Sequence, residues 1–272
     1  HVQDVVLELQ EGSKFVMNVD ENTNKYGPAV DVDGLTGTGV LQGASSAAGY
    51  WPHVDITPQQ DCTFSGDLSG YDGFIHVNSG KGTQTFDKVT TADDSEVELH
   101  LKGKSVINVA EENGNKTLNL RILKLLDGSD TTVEMNTDSG SPAIRINRSS
   151  ATMEDGAALT LSSAAGEVLS ADDDLLFMEG TGQMSDLDGK SITLDITDNA
   201  FRRLSETAKL VVKGDKVYVD LAASETNRYE EGASDPNAKA GAELLWNVNP
   251  SKLPADSALK AIDNAVAELM QN

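Results

Sequence analysis

The chain has 272 residues, of which 21 are basic and 44 acidic, so its formal net charge at pH 7 is −23. Binding to nucleic acid or to an anionic membrane surface needs clustered lysines and arginines, and this balance argues against both. The single cysteine, Cys62, excludes an internal disulfide framework and a cysteine-based zinc site. No apolar run approaches the roughly 20 residues of a membrane-spanning helix, so we expect no direct membrane insertion.

The dominant pattern up to about residue 250 is the alternation of apolar and polar residues, which predicts β-strands. In chain order, the alternating runs are 5–9, 14–19, 74–77, 96–101, 105–109, 117–122, 143–146, 158–161, 191–196, 210–212 and 216–219. Asp-Gly and Asn-Gly pairs separate many of these runs and are typical of tight turns. Between the strands, the sequence lacks the helices that a doubly wound α/β fold requires. It therefore predicts an all-β body.

Composition divides the chain into four predicted segments. Residues 1–95 and 96–224 are the first and second β segments, and 225–250, rich in Glu, Asn, Gly, Ser and Asp, is predicted to be a linker. Residues 251–272 are predicted to contain a short amphipathic helix. Its apolar residues recur at helical spacing: Leu259, Ile262, Val266, Leu269 and Met270.

A succession of short glycine-containing elements carries a resemblance to a known family. A Gly-Thr-Gly element lies within 35–41, Phe-Ser-Gly and Tyr-Asp-Gly elements lie within 63–73, and a strand that ends in glycine follows at 75–80. This succession resembles the autotransporter-associated β-strand repeat in the passenger regions of bacterial autotransporters, which are type V secreted proteins. Residues 7–18 are similar to the rungs that such passengers stack. Residues 240–247 resemble the segment that joins a passenger to its outer-membrane barrel.

The resemblance implies an architecture and a location. The body would be a β-solenoid or sandwich-like passenger, followed by the short C-terminal amphipathic helix. Such a passenger is exported through the outer membrane and is then displayed at the cell surface or secreted. The family includes adhesins, esterases and proteases, so the resemblance implies a location more than an activity.

One short element, Asp138-Ser139-Gly140, matches the Asp-Ser/Thr-Gly element of aspartic proteases. These enzymes need two carboxylates that share one proton. The chain carries no second copy of the element, so Asp138 would be catalytic only in a homodimer that brings two copies together. The alternative interpretation is that this element is a turn between two strands.

An aromatic cluster, Tyr50-Trp51-Pro52-His53, lies in an insert of a chain in which only 5% of residues are Phe, Trp or Tyr. Exposed rings can stack on sugars or anchor an interface, which makes Tyr50, Trp51 and His53 the candidate binding residues. The alternative is that Trp51 fills a gap against the sheet.

These observations predict a surface-exposed or shed passenger fragment that binds an extracellular host glycoprotein, mucus or a cell surface. The alternatives are an aspartic endopeptidase that acts on mucin-like glycoprotein through Asp138, and a structural stalk without activity. We expect no cofactor, because no cofactor motif occurs. We also expect no metal site, because the histidines lack the paired spacing that such a site requires.

Overall fold

The computed structural model of this chain describes residues 5–18, 28–44, 50–111, 114–137, 140–165, 168–198, 200–225 and 243. Strands predominate, and they wind into a β-solenoid of about five turns. The all-β, solenoid prediction is therefore confirmed. Asp138, nearly all of the predicted linker and the whole predicted C-terminal helix lie outside the described residues.

The strands are short in the first turns and longer in the later ones. In chain order they are β1 (Val6–Leu9), β2 (Lys14–Met17), β3 (Ala29–Val32), β4 (Gly34–Gly37), β5 (Val40–Gly43), β6 (His53–Ile56), β7 (Cys62–Phe64), β8 (Phe74–Val77), β9 (Gln84–Asp87), β10 (Glu98–Leu101), β11 (Lys104–Asn108), β12 (Ala110–Glu111), β13 (Gly114–Asn115), β14 (Leu118–Leu125), β15 (Asp130–Asn136), β16 (Ile144–Met153), β17 (Ala158–Ala165), β18 (Leu175–Glu179), β19 (Ser191–Leu194), β20 (Thr207–Lys213) and β21 (Lys216–Asp220). A 3₁₀ helix, Ser185–Leu187, lies between β18 and β19.

Three parallel ladders form the faces of the solenoid, and each takes its strands from successive turns. The first face contains β1, β4, β7, β9, β11, β15 and β17. The second face contains β3, β6, β8, β10 and the second halves of β14 and β16. The third face begins with β2 and β5, continues through single bridges, and ends with the first halves of β14 and β16 followed by β18.

The core is built from inward columns of apolar side chains that lie in register. On the second face one such column consists of Val30, Val54, Ile75, Leu99, Leu123 and Ala151. Except for the partly buried Val30 in the first turn, every member of this column is buried. Burial of one such side chain contributes about 1.5–3 kcal/mol, so the repeated column is a main source of stability. The period-two alternation in the sequence follows from this inward and outward order.

The two ends of the described ladder differ. At the C-terminal end, β19 pairs with β17, and β20, β21 and β18 follow in antiparallel order, which covers the last turn. Such a cap removes the unpaired edge strands that otherwise invite association. At the other end, the strands β1, β2 and β3 pair on one side only within the described residues.

Glycine is required where the chain turns closely over the previous turn. Gly37 has φ +97°, and a Cβ atom there would lie 2.1 Å from the carbonyl oxygen of Leu9. That oxygen accepts hydrogen bonds from the backbone N–H groups of Thr38 and Gly39, at 2.8 and 2.7 Å. The Gly-Thr-Gly element thus fixes one turn of the solenoid against the next.

The predicted division of the body at residue 95 stays a prediction. Pairing of β8 with β10 and of β9 with β11 runs across this position, so the ladder is continuous there. Among the described residues, no helix has the length and apolar character needed to cross a membrane.

A polar column follows the outward positions of the first face. Asp87, Asn108, Glu134 and Ser162 occupy one register position, and the Asn108 side chain donates a hydrogen bond to Asp87 at 2.9 Å. Burial raises the pKa of Glu134, and the negative charges of Asp198 and Asp87 raise it further. The fold therefore disfavours the ionised form of Glu134.

Replacing Gly37 by alanine tests the close approach of adjacent turns. We expect Gly37→Ala to lower the free energy of unfolding by about 2–4 kcal/mol. The alanine would have an unfavourable positive φ, and its Cβ would clash with the carbonyl oxygen of Leu9. The matched control is Gly12→Ala, which shares a positive φ of +76° but has no atom within 4 Å of the added Cβ. That variant should lose only about 1 kcal/mol in denaturant unfolding. Equal losses would contradict the importance of the close contact.

Replacing Glu134 by glutamine tests the polar column. The folded-state pKa lies above the unfolded value, so ionisation destabilises the fold at neutral pH, and this penalty disappears as pH falls below about 4.3. We expect Glu134→Gln to raise Tm at pH 7 and to leave it unchanged near pH 3. The control is Glu206→Gln, which removes an exposed carboxylate and should leave Tm unchanged at both pH values. A Tm gain that persists undiminished in acid would contradict the proposed cause.

Candidate functional site

The aromatic cluster of the insert lies at the edge of the second face, where the chain enters β6. Because the ladder is in register, His53 of β6 lies beside Phe74 of β8, and His76 of β8 lies beside His100 of β10. All four side chains occupy outward positions and are partly exposed. The parallel register thus brings rings from three turns together at two neighbouring outward positions of one face.

These rings are in contact. His53 stacks on Phe74 with centroids 4.5 Å apart, and His76 stacks on His100 at 4.8 Å. Trp51 meets Phe74 edge-on at 6.0 Å. Stacked and edge-to-face rings stabilise one another by about 0.5–1.5 kcal/mol per pair. We call the five rings Trp51, His53, Phe74, His76 and His100 the ring ladder.

A buried tyrosine fixes the start of the ring ladder. Tyr71 is 1% exposed, and its hydroxyl lies 3.1 Å from the carbonyl oxygen of Pro52 and 2.9 Å from that of Phe74. The Phe74 backbone N–H also donates to the Pro52 oxygen, at 2.9 Å. At Gly73, a Cβ would lie 2.4 Å from the same oxygen. The Tyr-Asp-Gly element therefore holds the residue after Trp51 against the start of β8.

A carboxylate orients one ring of the ladder. The Asp55 carboxylate accepts a hydrogen bond from Nδ1 of His76 at 2.8 Å, and this bond lowers the pKa of Asp55. Burial lowers the pKa of His53, and the neighbouring His76 lowers it further. The Nε2 atoms of His76 and His100 are both buried without a hydrogen bond. His76 and His100 are thus packed rings, and their Nε2 atoms are closed to solvent.

Arg121 joins the ladder to a charged network. Its guanidinium lies 4.5 Å from the centroid of the Trp51 ring, which is a cation–π contact. Its Nη1 lies 3.4 Å from the nearly buried carboxylate of Glu98, whose other oxygen lies 3.5 Å from Nε2 of His100. The side chain of Glu98 is only 6% exposed, so its charge needs the guanidinium of Arg121.

Arg121 owes its position to a bulge. The register of β14 against β16 shifts after Leu120, which pairs with Ile146, while Ile122 pairs with Ser150. Between these two pairs, β14 has the single residue Arg121, and β16 has the three residues 147–149 opposite it. Bulges turn side chains away from the regular pleat, and here they direct residues of both strands to the corner near Trp51.

An open cavity of about 480 Å³ lies at this corner, and its lining combines one ring with charged and hydroxyl groups: Trp51, Glu96, Arg121, Arg148 and Ser149. Glu96 bridges the two arginines, because Oε1 contacts Nη1 of Arg148 and Oε2 lies 3.6 Å from Nε of Arg121. A cavity with one indole and several fixed polar groups suits a small polar ligand with an apolar side.

The side chains that line this corner suit the binding of a ligand. Within the described ranges, no group of three or more histidine, cysteine or acidic side chains is placed to hold a metal ion. The arginines and Glu96 supply oriented donors and acceptors, and Trp51 supplies an apolar surface. No nucleophile of the cavity is activated by a neighbouring base in the contacts described.

Of the site residues predicted from the sequence, the structure describes Tyr50, Trp51 and His53. Trp51 and His53 both lie in the ring ladder, and Tyr50 is a half-buried residue directly before them. Their role in ligand binding stays a prediction, as does the catalytic role of Asp138, which lies outside the described residues.

Sequence reasoning missed the rest of the site, above all Phe74, Glu96, Arg121 and Arg148. One available signal was the length of a turn on the second face, where paired residues of β3, β6, β8, β10 and β14 are 21 to 24 positions apart. Aligning His53, His76 and His100 at such spacing would have placed them on one face. The bulge that presents Arg121 has no comparable signal in the sequence.

Searches against protein-family models, curated proteins and solved structures gave no match to this chain.

The hydrogen bond between His76 and Asp55 can be tested by titration. The folded pKa of Asp55 lies below its unfolded value of about 3.9, so the pair stabilises the fold above that pH and loses its effect as pH falls further. We expect His76→Phe to raise the pKa of Asp55, measured by ¹³C NMR, and to cost less than about 1 kcal/mol at pH 7. The control His100→Phe should leave the Asp55 titration unchanged. A similar rise in both variants would contradict the assignment.

Proposed function

We propose that this protein is an extracellular binding module, displayed at a cell surface or secreted, that binds the glycan of a glycoprotein at the corner around Trp51. The single observation that carries the proposal is the cavity in which the Trp51 indole lies beside paired arginine and glutamate side chains. Location at a surface or in the medium rests on the resemblance to autotransporter passengers and stays part of the proposal.

The arrangement supports saccharide binding for a physical reason. A sugar has an apolar face of C–H groups and a rim of hydroxyls, so its receptor needs a flat ring beside fixed donors and acceptors. Trp51 supplies the ring, Glu96 supplies acceptor oxygens and Arg148 supplies donors. The ion pairs hold these groups in place before binding, which reduces the entropy lost when a ligand is bound.

The rigidity of the fold also supports a binding role. Trp51 is held through its neighbour Pro52 by the buried Tyr71, and Arg121 is held by Glu96 and Glu98. A site on a stacked sheet keeps its geometry better than a site on a free loop. A stalk without activity would need no such network of charged groups at a corner.

The proposal predicts the effect of removing the ring. Binding of the full chain to an immobilised mucin-type glycoprotein should weaken by about 5- to 30-fold in Trp51→Ala, or about 1–2 kcal/mol, the loss expected for an aromatic anchor. Surface plasmon resonance measures this loss, and the fold of the variant is checked by its Tm.

The matched control is Tyr218→Ala on the cap. Like Trp51, Tyr218 has a half-buried ring that a cation contacts, with Lys213 Nζ 5.0 Å from the ring centroid. Unlike Trp51, it lies in β21, away from the cavity. Its loss should leave binding unchanged. Equal binding by wild type and Trp51→Ala would overturn the proposed site. Cleavage of the glycoprotein that disappears in Asp138→Asn would instead support the peptidase alternative.

A further inference from the structure

The corner cavity concentrates positive charge in an acidic protein. The sequence has six arginines against a net charge of −23, and two of the six line this one cavity. Arginines at a ligand site recognise carboxylates in a planar, two-point geometry that lysine cannot match. The cavity therefore has two positively charged side chains in its lining, whereas the chain as a whole is strongly negative.

The two guanidinium groups keep donors that the protein does not use. The described contact of Arg148 is made through Nη1 to Glu96, and its side chain is 59% exposed, which leaves Nε and Nη2 for a ligand. Arg121 Nη1 is buried 3.4 Å from Glu98, so a ligand in the cavity meets Arg121 through its remaining guanidinium nitrogens. The exposed donors of Arg148 can therefore form charge-assisted hydrogen bonds with a carboxylate.

The surrounding carboxylates limit the charge that the ligand can carry. Glu96 lines the cavity, and Glu98 and Asp55 lie close by on the same face. A chain of many negative charges would be repelled by these groups and by the net charge of the protein. A ligand with a single carboxylate is repelled less, and Arg148 offers it exposed donors.

We propose that the cavity binds a saccharide that carries one carboxylate, with the carboxylate on Arg148 and Arg121 and the sugar ring against Trp51. Glu96 and the Ser149 hydroxyl then accept hydrogen bonds from the sugar hydroxyls. This inference rests on the proposed function, because it names the class of glycan bound at the same site. Terminal acidic sugars of glycoproteins and single uronate units share this chemistry.

The test compares one mucin before and after enzymatic removal of its terminal sialic acid. Wild type should bind the sialylated form about tenfold more tightly, the factor expected for charge-assisted hydrogen bonds to a carboxylate. Arg148→Gln should lose this difference and bind the two forms equally, no more tightly than the wild type binds the desialylated form. The control Arg145→Gln removes an arginine that pairs with Glu179 at 2.6 Å outside the cavity, and it should keep the full difference.

Two soluble competitors distinguish the sources of the carboxylate. Inhibition by 3′-sialyllactose and not by a glucuronate disaccharide assigns a terminal sialic acid, and the reverse assigns a uronate. A heparin fragment should compete less well than either, because it carries many charges. Stronger competition by heparin would overturn the inference.

Different experimental results would contradict the carboxylate inference and the proposed glycan-binding function. If wild type binds both mucin forms equally and Trp51→Ala weakens both, the carboxylate inference is wrong and the glycan-binding function stands. If Trp51→Ala changes neither, the proposed function fails at this site and the inference fails with it. An Arg148→Gln variant that weakens the binding of both forms by the same factor, and so keeps the tenfold difference, would also overturn the inference.

Discussion

In-register stacking of parallel strands is the constraint on which the rest of this structure depends. Neighbouring strands lie about 4.8 Å apart, so each side chain lies directly over its counterpart in the next turn. Inward positions become apolar columns such as the one from Val54 to Leu123, and outward positions become rows of contacting rings. The same geometry thus produces both the core and the surface at which the candidate site lies. A change of register in one turn would separate all of these contacts at once.

The corners of the solenoid allow this stacking to continue from turn to turn. Gly37 lets the backbone approach Leu9, and Gly73 lets it approach Pro52, at distances that a Cβ would prevent. Tyr71 then satisfies carbonyl groups at the same corner from inside the core. Elements that resemble a family repeat in sequence therefore have a direct structural role, which is independent of any particular ligand.

Charge is distributed so that the site differs from the rest of the surface. The chain is strongly acidic, yet Arg121 and Arg148 are held at one corner by Glu96, with Glu98 almost buried beside Arg121. Fixed ion pairs of this kind contribute little to stability when partly exposed, but they keep donors oriented. The bulge in β16, opposite Arg121 of β14, is what brings the two arginines to Trp51. Irregularity in an otherwise regular ladder is therefore where a ligand site can arise.

The sequence by itself determined the fold class and the aromatic cluster. Period-two alternation fixes which side chains face inward, and the turn pairs mark the ends of strands, because both are local properties of the backbone. Trp51 and His53 were recognisable for the same reason, since rings concentrated in a polar insert are a local signal. Only the tertiary structure decided which residues of neighbouring turns lie side by side. Paired positions in neighbouring turns are 21 to 34 residues apart, so no constant period in the sequence aligns Trp51 with Arg121 or Glu96. Their meeting depends on the packing of separate turns and on a bulge, and such contacts between distant residues leave no periodic pattern along the chain.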